Sequence, residues 1–177
     1  SFIPAIFFMG TRDVSVGLDT AQYMIHFEEY KMCSISEIFQ SKDFLFWLFM
    51  KFCSLFSDSY YFYQVVYSIL YCGLYNYFIR HNCKDCFLAS FVFIGIGLFS
   101  WALNLQRQMF SVAFCVLAWT LIVERNNVKG FITYCLACCI HMTSIIFFPV
   151  ILLSMFRISQ KVLKLLPIAL LIILSSM

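Results

Sequence analysis

FLASFVFIGIGLFSWALNLQRQMFSVAFCVLAWTLIV, residues 87–123, holds a single charged side chain, Arg107, within an otherwise apolar run. On its two sides Phe87 to Leu103 and Phe110 to Val123 approach the roughly 17–25 residues that span hydrocarbon as a helix. Similar runs recur along almost the whole chain. Hydrophobic residues make up 63% of the 177 and charged residues 12%, against roughly 45–50% and 25% in a soluble domain, which excludes a water-soluble fold. The period of two that a membrane barrel needs is missing, so the backbone must be satisfied inside helices. The fold read from this is all-α: a polytopic integral membrane helical bundle.

Spans are expected at about Tyr60 to Ile79, Cys86 to Ala102, Gln108 to Val123, and once or twice between Val128 and Phe156, where His141-Met142-Thr143-Ser144 and Pro149 interrupt the apolar run. Phe44 to Phe56 is too short to cross alone and reads as an interfacial helix, preceded by Ser1 to Gly10 as the tail of one span and followed, at Leu165 to Met177, by the start of another. The chain is therefore expected to be an internal fragment, a single transmembrane domain over 1–177 with about five or six membrane segments. Ser57-Asp58-Ser59 offers N-cap residues for the helix after it. Within the domain 11–43 is the one long polar segment, and it is net acidic. Basic residues cluster at Arg80 and Lys84, at Arg125 and Lys129, and at Arg157, Lys161 and Lys164. The positive-inside rule places these in the cytoplasm and 11–43 and the Asn104 to Arg107 connection outside. It also favours a hairpin with His141 near its tip over a single kinked helix between Val128 and Phe156. The nine Cys lie mostly in apolar stretches, where a thiol packs as a small hydrophobe. Cys83-x-x-Cys86 has no second pair at metal-site spacing, so neither disulfide framework nor metal is expected.

Ionisable groups in such a chain are costly, about 2.5–3.5 kcal/mol each at the centre of a span, and they persist where they face a cavity or partner. Arg107 stands in the tightest connection. If Asn104 to Ser111 is helical, Asn104, Arg107, Gln108 and Ser111 form one polar stripe that can hold an anion; the plainer reading is an interfacial anchor. His141 can serve as a general base near neutral pH, or simply be a satisfied core residue. Asp19 with Gln22 has the form of a capping box, and the helix it would open presents Asp19, Gln22, Tyr23 and His26 on one face. Arg12 would sit just outside the membrane, where a guanidinium grips phosphate. Tyr60, Tyr63, Tyr67, Tyr71 and Tyr75 follow one helical face, suited either to packing or to stacking on sugars.

Three blocks carry a resemblance. Thr11-Arg12-Asp13 with Gly17-Leu18-Asp19-Thr20 and Tyr23, then Asn104-Leu105-Gln106-Arg107-Gln108, then His141-Met142-Thr143-Ser144, together resemble the EpsG family of Wzy-type exopolysaccharide and O-antigen polymerases. Thr20 departs from the aromatic residue that often follows the Asp there. The resemblance implies a multi-pass glycosyltransferase of the bacterial inner membrane that moves a glycan from undecaprenyl pyrophosphate to the next lipid-linked repeat unit at the outer face. It implies Arg12 and Arg107 on the pyrophosphate, Asp19 or His141 as base, and Tyr23, Asn104, Gln108 and Ser144 among the substrate-binding residues. No metal or cofactor is expected. The expected partners are the undecaprenyl-pyrophosphate-linked oligosaccharide, the bilayer, and a chain-length regulator with other assembly proteins, but not nucleic acid. A ligase-like lipid-carrier glycosyltransferase and a transporter or flippase of lipid-linked sugars are the alternatives.

Overall fold

The computed structural model describes residues 2–156, so the basic cluster of Arg157, Lys161 and Lys164 and the terminal run 165–177 lie outside the described residues. Every regular element among the described residues is helical. In order they are α1 (Ile3–Thr11), α2 (Thr20–Met32), α3 (Ile35–Gln40), α4 (Phe44–Ser54), α5 (Tyr60–Asn82), α6 (Cys86–Gly95), α7 (Leu98–Asn104), α8 (Gln106–Val123), α9 (Asn127–Ile140), a 3-10 turn (Met142–Phe147) and α10 (Phe148–Met155). The core centres on α5, whose Tyr63, Tyr67 and Tyr71 are fully buried among α1, α4, α7 and α8. A smaller cluster lies between α8, α9 and α10. Ile3, Phe7, Phe87, Phe91, Ile94 and Ile146 are exposed on the outside, an apolar surface more extensive than water-soluble monomers show.

Only α8 is, among the described residues, long and apolar enough to cross a membrane by itself, and α6 with α7 makes a second if the two are one span bent by 48°. The expectation of five or six spans is not met on that measure, for identifiable reasons. Helix α5 has 23 residues, a rise of roughly 34 Å, but its tyrosines and Gln64 lower its hydropathy. The face of Tyr60, Tyr63, Tyr67, Tyr71 and Tyr75, with Gln64, is turned into the bundle rather than toward lipid. The run expected to be continuous from Cys86 to Ala102 is broken at Gly97, whose φ of 86° lies in the left-handed region. Helix α4 is short, as expected of an interfacial helix, and Lys51 on it donates to the Lys31 and Cys33 carbonyls, capping the C-terminus of α2. Between Val128 and Phe156 the chain is two pieces joined at an extended His141 (φ −154°, ψ 118°). The ring of Tyr134 lies 6.3 Å from Phe148 and its hydroxyl donates to the Ile145 carbonyl at 3.3 Å, so the chain folds back on itself.

Caps differ from the sequence reading. Asp19 does precede α2, but with φ −102° and ψ 0° it lies outside the extended region a capping residue adopts and makes no capping bond. The capping box is at Ser34 and Glu37 instead. Ser59 precedes α5 without a side-chain cap.

Two ends of the bundle are chemically distinct. At one, Glu124 meets Tyr77 and His81, and Asn82 meets Thr120. The opposite end is built from the α1 to α2 loop, the start of α4, the α7 to α8 joint and His141. Helices α8 and α9 approach closely because Gly130 has no side chain: a Cβ there would stand 2.5 Å from Ile122 Cγ1 and 2.8 Å from the Ala118 carbonyl, the small-residue contact that brings membrane helices together. Gly73 meets nothing within 4 Å. Gly130→Ala is therefore expected to destabilise by about 1–3 kcal/mol, and Gly73→Ala to stabilise by about 0.5–1 kcal/mol. Thermal unfolding in detergent checks both; equal shifts in the two variants would contradict the close α8 to α9 contact.

Candidate functional site

Helix α7 stops at Asn104, and Leu105 (φ −92°, ψ 58°) turns the chain before α8 begins. A break of this kind leaves carbonyls without their helical partners, and at membrane depth they must find others inside the protein. Arg12 and the tyrosine face of α5 supply them. Arg12 donates from Nη2 to the Leu103 carbonyl at 3.0 Å and from Nη1 to Met9 at 2.9 Å. Thr20 also donates toward Leu103, at 3.4 Å. Tyr67 donates to the Ala102 carbonyl at 3.3 Å, and Tyr71 to Leu98 at 2.9 Å. Gln106 accepts from Tyr63 at 2.8 Å and donates to Tyr60 at 3.3 Å.

Residues that the sequence made candidates thus divide into two groups. Arg12 is 5% exposed, with its Nη atoms on backbone carbonyls and its Nε buried and unpartnered. Asn104 accepts from the Leu18 N–H at 2.6 Å and latches the loop. Gly17, at φ 105°, lies so close that a Cβ would stand 3.0 Å from the Leu103 carbonyl and 3.1 Å from Asn104 Oδ1. The Gly17-Leu18-Asp19 block therefore works first through its glycine, which lets the loop lie on the joint. Asp19 is partly exposed at the start of α2, and Gln22 bonds His26 rather than capping. The α5 tyrosines proposed for sugar contact, from Tyr60 to Tyr75 on that face, are all buried.

The second group converges on a residue outside the candidate set, Asp43. Its carboxylate accepts from Arg107 Nη1 at 3.2 Å and from His141 Nδ1 at 2.9 Å, both on Oδ2, while Oδ1 accepts the Met142 N–H at 3.1 Å. The Asp43 side chain is 6% exposed, His141 20% and Arg107 36%. Asp43 sits in the left-handed region, φ 60° and ψ 33°, a conformation that Asp and Asn tolerate better than most residues. That geometry, immediately before α4, aims the carboxylate across the bundle. Trp47 one turn later stacks on Tyr30, ring centroids 4.4 Å apart, and Arg107 lies over it at 5.0 Å, a cation–π contact. Trp47 Nε1 is itself fixed to the Lys42 carbonyl at 2.9 Å.

Tyr23, Ser111, Ser144 and Gln108 complete the surroundings. The Tyr23 hydroxyl accepts from the Arg107 N–H at 3.4 Å, in the first turn of α8. Ser144 is buried and donates to Ser111 at 2.8 Å, tying the turn after His141 to α8. The stripe expected from Asn104 to Ser111 is split: Asn104 belongs to the loop latch, Arg107 faces Asp43, Gln108 is exposed and Ser111 is buried. Sequence reading missed Asp43 because it is one of six carboxylates between Asp13 and Asp43 and its partners lie 64 and 98 residues away. The signal present was Lys42-Asp43 immediately before an apolar helix.

With Nδ1–H donated to Asp43, the His141 ring keeps its Nε2 lone pair free to accept a proton. Arg107 uses one hydrogen bond of its five donors on Asp43. It stands beside the N-terminus of α8, where the helix dipole favours an anion. The arrangement sets an imidazole able to accept a proton beside a cation able to hold an anion. Arg12→Ala is expected to lower thermal stability, because each stranded carbonyl costs roughly 1–3 kcal/mol, and Arg12→Lys to rescue little, since one ammonium cannot replace both guanidinium arms. Arg107→Ala should lower the unfolding midpoint less than Arg12→Ala, because Asp43 keeps His141 and the Met142 N–H as donors. The reverse ranking in a thermal melt would reassign the two arginines.

A family model described as the EpsG family matches residues 1–177, the whole chain. No curated protein and no solved structure matches it.

Proposed function

The chain belongs to the EpsG family, which gives it a membrane polysaccharide polymerase-like role, and from that premise we propose that Asp43, Arg107 and His141 form a glycosyl-transfer site. The donor is a glycan on a polyprenyl diphosphate, undecaprenyl pyrophosphate in a bacterial inner membrane, and the acceptor is a sugar hydroxyl of the next lipid-linked repeat unit. The observation that carries this reading is the shared carboxylate: one buried Asp43 oxygen accepts from both Arg107 and His141.

His141 Nε2 takes the proton of the acceptor hydroxyl as its oxygen bonds to the anomeric carbon. Asp43 holds the ring in the tautomer that leaves Nε2 unprotonated, and stabilises the imidazolium that forms. The bond from the anomeric carbon to the phosphate oxygen breaks, and its electron pair leaves with the lipid diphosphate. Arg107 and the first turn of α8 bind that developing negative charge. Trp47, its ring centroid 5.0 Å from the guanidinium carbon, keeps Arg107 in reach. The exposed apolar faces of α1, α6 and α10 fit a bilayer, and the Arg80, Lys84, Arg125 and Lys129 cations at the α5 to α6 and α8 to α9 connections support an outward-facing site at the other end by the positive-inside rule.

His141→Ala is expected to reduce chain elongation by roughly 10²–10⁴-fold, the usual contribution of a positioned base. Asp43→Asn, which suits the same backbone conformation, should fall in the same range. Gel ladders of glycan from cells expressing each full-length variant, at matched membrane level, report this. Single lipid-linked units should accumulate at the outer face. Intact ladders in both variants would remove the site, and units trapped at the cytoplasmic face would favour transport over polymerisation.

A further inference from the structure

Helix α2 carries a second carboxylate–imidazole pair, which the transfer chemistry above leaves unused. Glu29 Oε2 lies 2.8 Å from His26 Nδ1. A carboxylate can only accept, so that nitrogen carries the hydrogen. The other ring nitrogen, Nε2, lies 3.3 Å from the Gln22 amide nitrogen. The His26 side chain is 28% exposed, and Gln22 beside it is exposed.

Three contacts put this pair next to Arg107. The Tyr23 hydroxyl, one turn before His26 on α2, accepts from the Arg107 N–H at 3.4 Å. The His26 ring meets Trp47 edge to face, with centroids 5.1 Å apart. The Arg107 guanidinium carbon lies 5.0 Å from the ring of the same Trp47. Trp47 itself is buried, whereas His26 and Arg107 both reach the surface beside it.

A diphosphate has two charged phosphates, and Arg107 is already shared with Asp43, so a single guanidinium leaves one phosphate to another donor. Arg12 and Lys51 are spent on backbone carbonyls, and Lys31 on Asp58. His26 can supply the donor. As imidazolium it keeps Nδ1–H on Glu29 and turns Nε2–H to a phosphate oxygen, in place of the contact with Gln22. The neutral ring in this orientation presents only a lone pair. An imidazole gains and loses its charge between about pH 5 and 8, so the grip is present at acid pH and lost as pH rises. Facing the ring are Glu29 and Tyr30 of α2 and, across Trp47 of α4, Arg107 of α8. Glu29 balances the imidazolium charge.

We propose that His26, oriented by Glu29, is the second phosphate ligand of the donor site: Arg107 holds one phosphate of the lipid-linked diphosphate and His26 the other. The proposal rests on the glycosyl-transfer reading of Arg107. It gives α2 the task of telling a diphosphate carrier from a monophosphate one.

The test uses the full-length protein in lipid nanodiscs and two probes, P1-farnesyl P2-methyl diphosphate and farnesyl methyl phosphate. Neither has a sugar to transfer or a phosphate that titrates near neutral pH. Calorimetric titration at pH 6 should show the parent binding the diphosphate at least tenfold more tightly than the monophosphate, as expected of one added charged hydrogen bond. His26→Ala should lose that preference while still binding the monophosphate, which also shows that it is folded. At pH 8 the parent should lose the preference too, and His141→Ala should keep it at pH 6. A parent that binds both probes alike or neither, or a His26→Ala variant that keeps the preference, overturns the proposal. So does a preference lost instead in Lys42→Ala, the exposed cation whose carbonyl holds Trp47 Nε1. Arg107→Ala should weaken both probes. If it binds both like the parent while His26→Ala loses the preference, His26 stands as a phosphate ligand and the transfer reading of Arg107 falls.

Discussion

The carbonyls left without helical partners at the α7 to α8 joint are the constraint around which this end of the bundle is arranged. A straight helix through Leu105 would need no outside donor. The break removes the partners of the Ala102 and Leu103 carbonyls, and lipid offers none. The donors come from three other places in the sequence: Arg12 after α1, Thr20 at the start of α2, and the tyrosine hydroxyls of α5. Satisfying the joint therefore fixes α1, α2 and α5 relative to it. The same joint presents Gln106 and Arg107 as the first turn of α8, so the connection and the charged residue that follows it are parts of one device.

Asp43 is held by a comparable convergence. Its carboxylate is nearly buried yet has three donors, two from side chains and one from a backbone N–H. A buried carboxylate is tolerable when paired and hydrogen-bonded in this way. The pairing also means that neither Arg107 nor His141 is oriented independently of the other. Trp47, stacked on Tyr30, also restrains Arg107, and the Ser144 to Ser111 bond restrains the turn that follows His141.

Much of the fold was readable from hydropathy alone: the helix-length apolar runs, the short α4, and the interruption at His141. Gly95 and Gly97 were visible in the sequence, but a periodic apolar run does not reveal whether glycines bend it. The tyrosine face of α5 was visible as a face, and only packing shows that it points inward onto α7 and α8. Arg107 and His141 stood out because each is isolated among apolar residues. Asp43 did not, because a carboxylate in a polar segment is unremarkable until its distant partners arrive. Arg12 stood out for the right reason, its cost near a membrane, while the partner that offsets that cost proved to be backbone rather than ligand.

The separation of Asp43 from His141 along the chain, 98 residues, has a meaning in time. At a synthesis rate of roughly 5–20 residues per second, a nascent chain holds the carboxylate for about 5–20 s before its imidazole exists. Arg107 emerges within that interval and can neutralise the charge first. His141 reaches Asp43 only once α9 is made and the chain has turned back at its end, so the order of translation leaves this contact until the surrounding helices are in place.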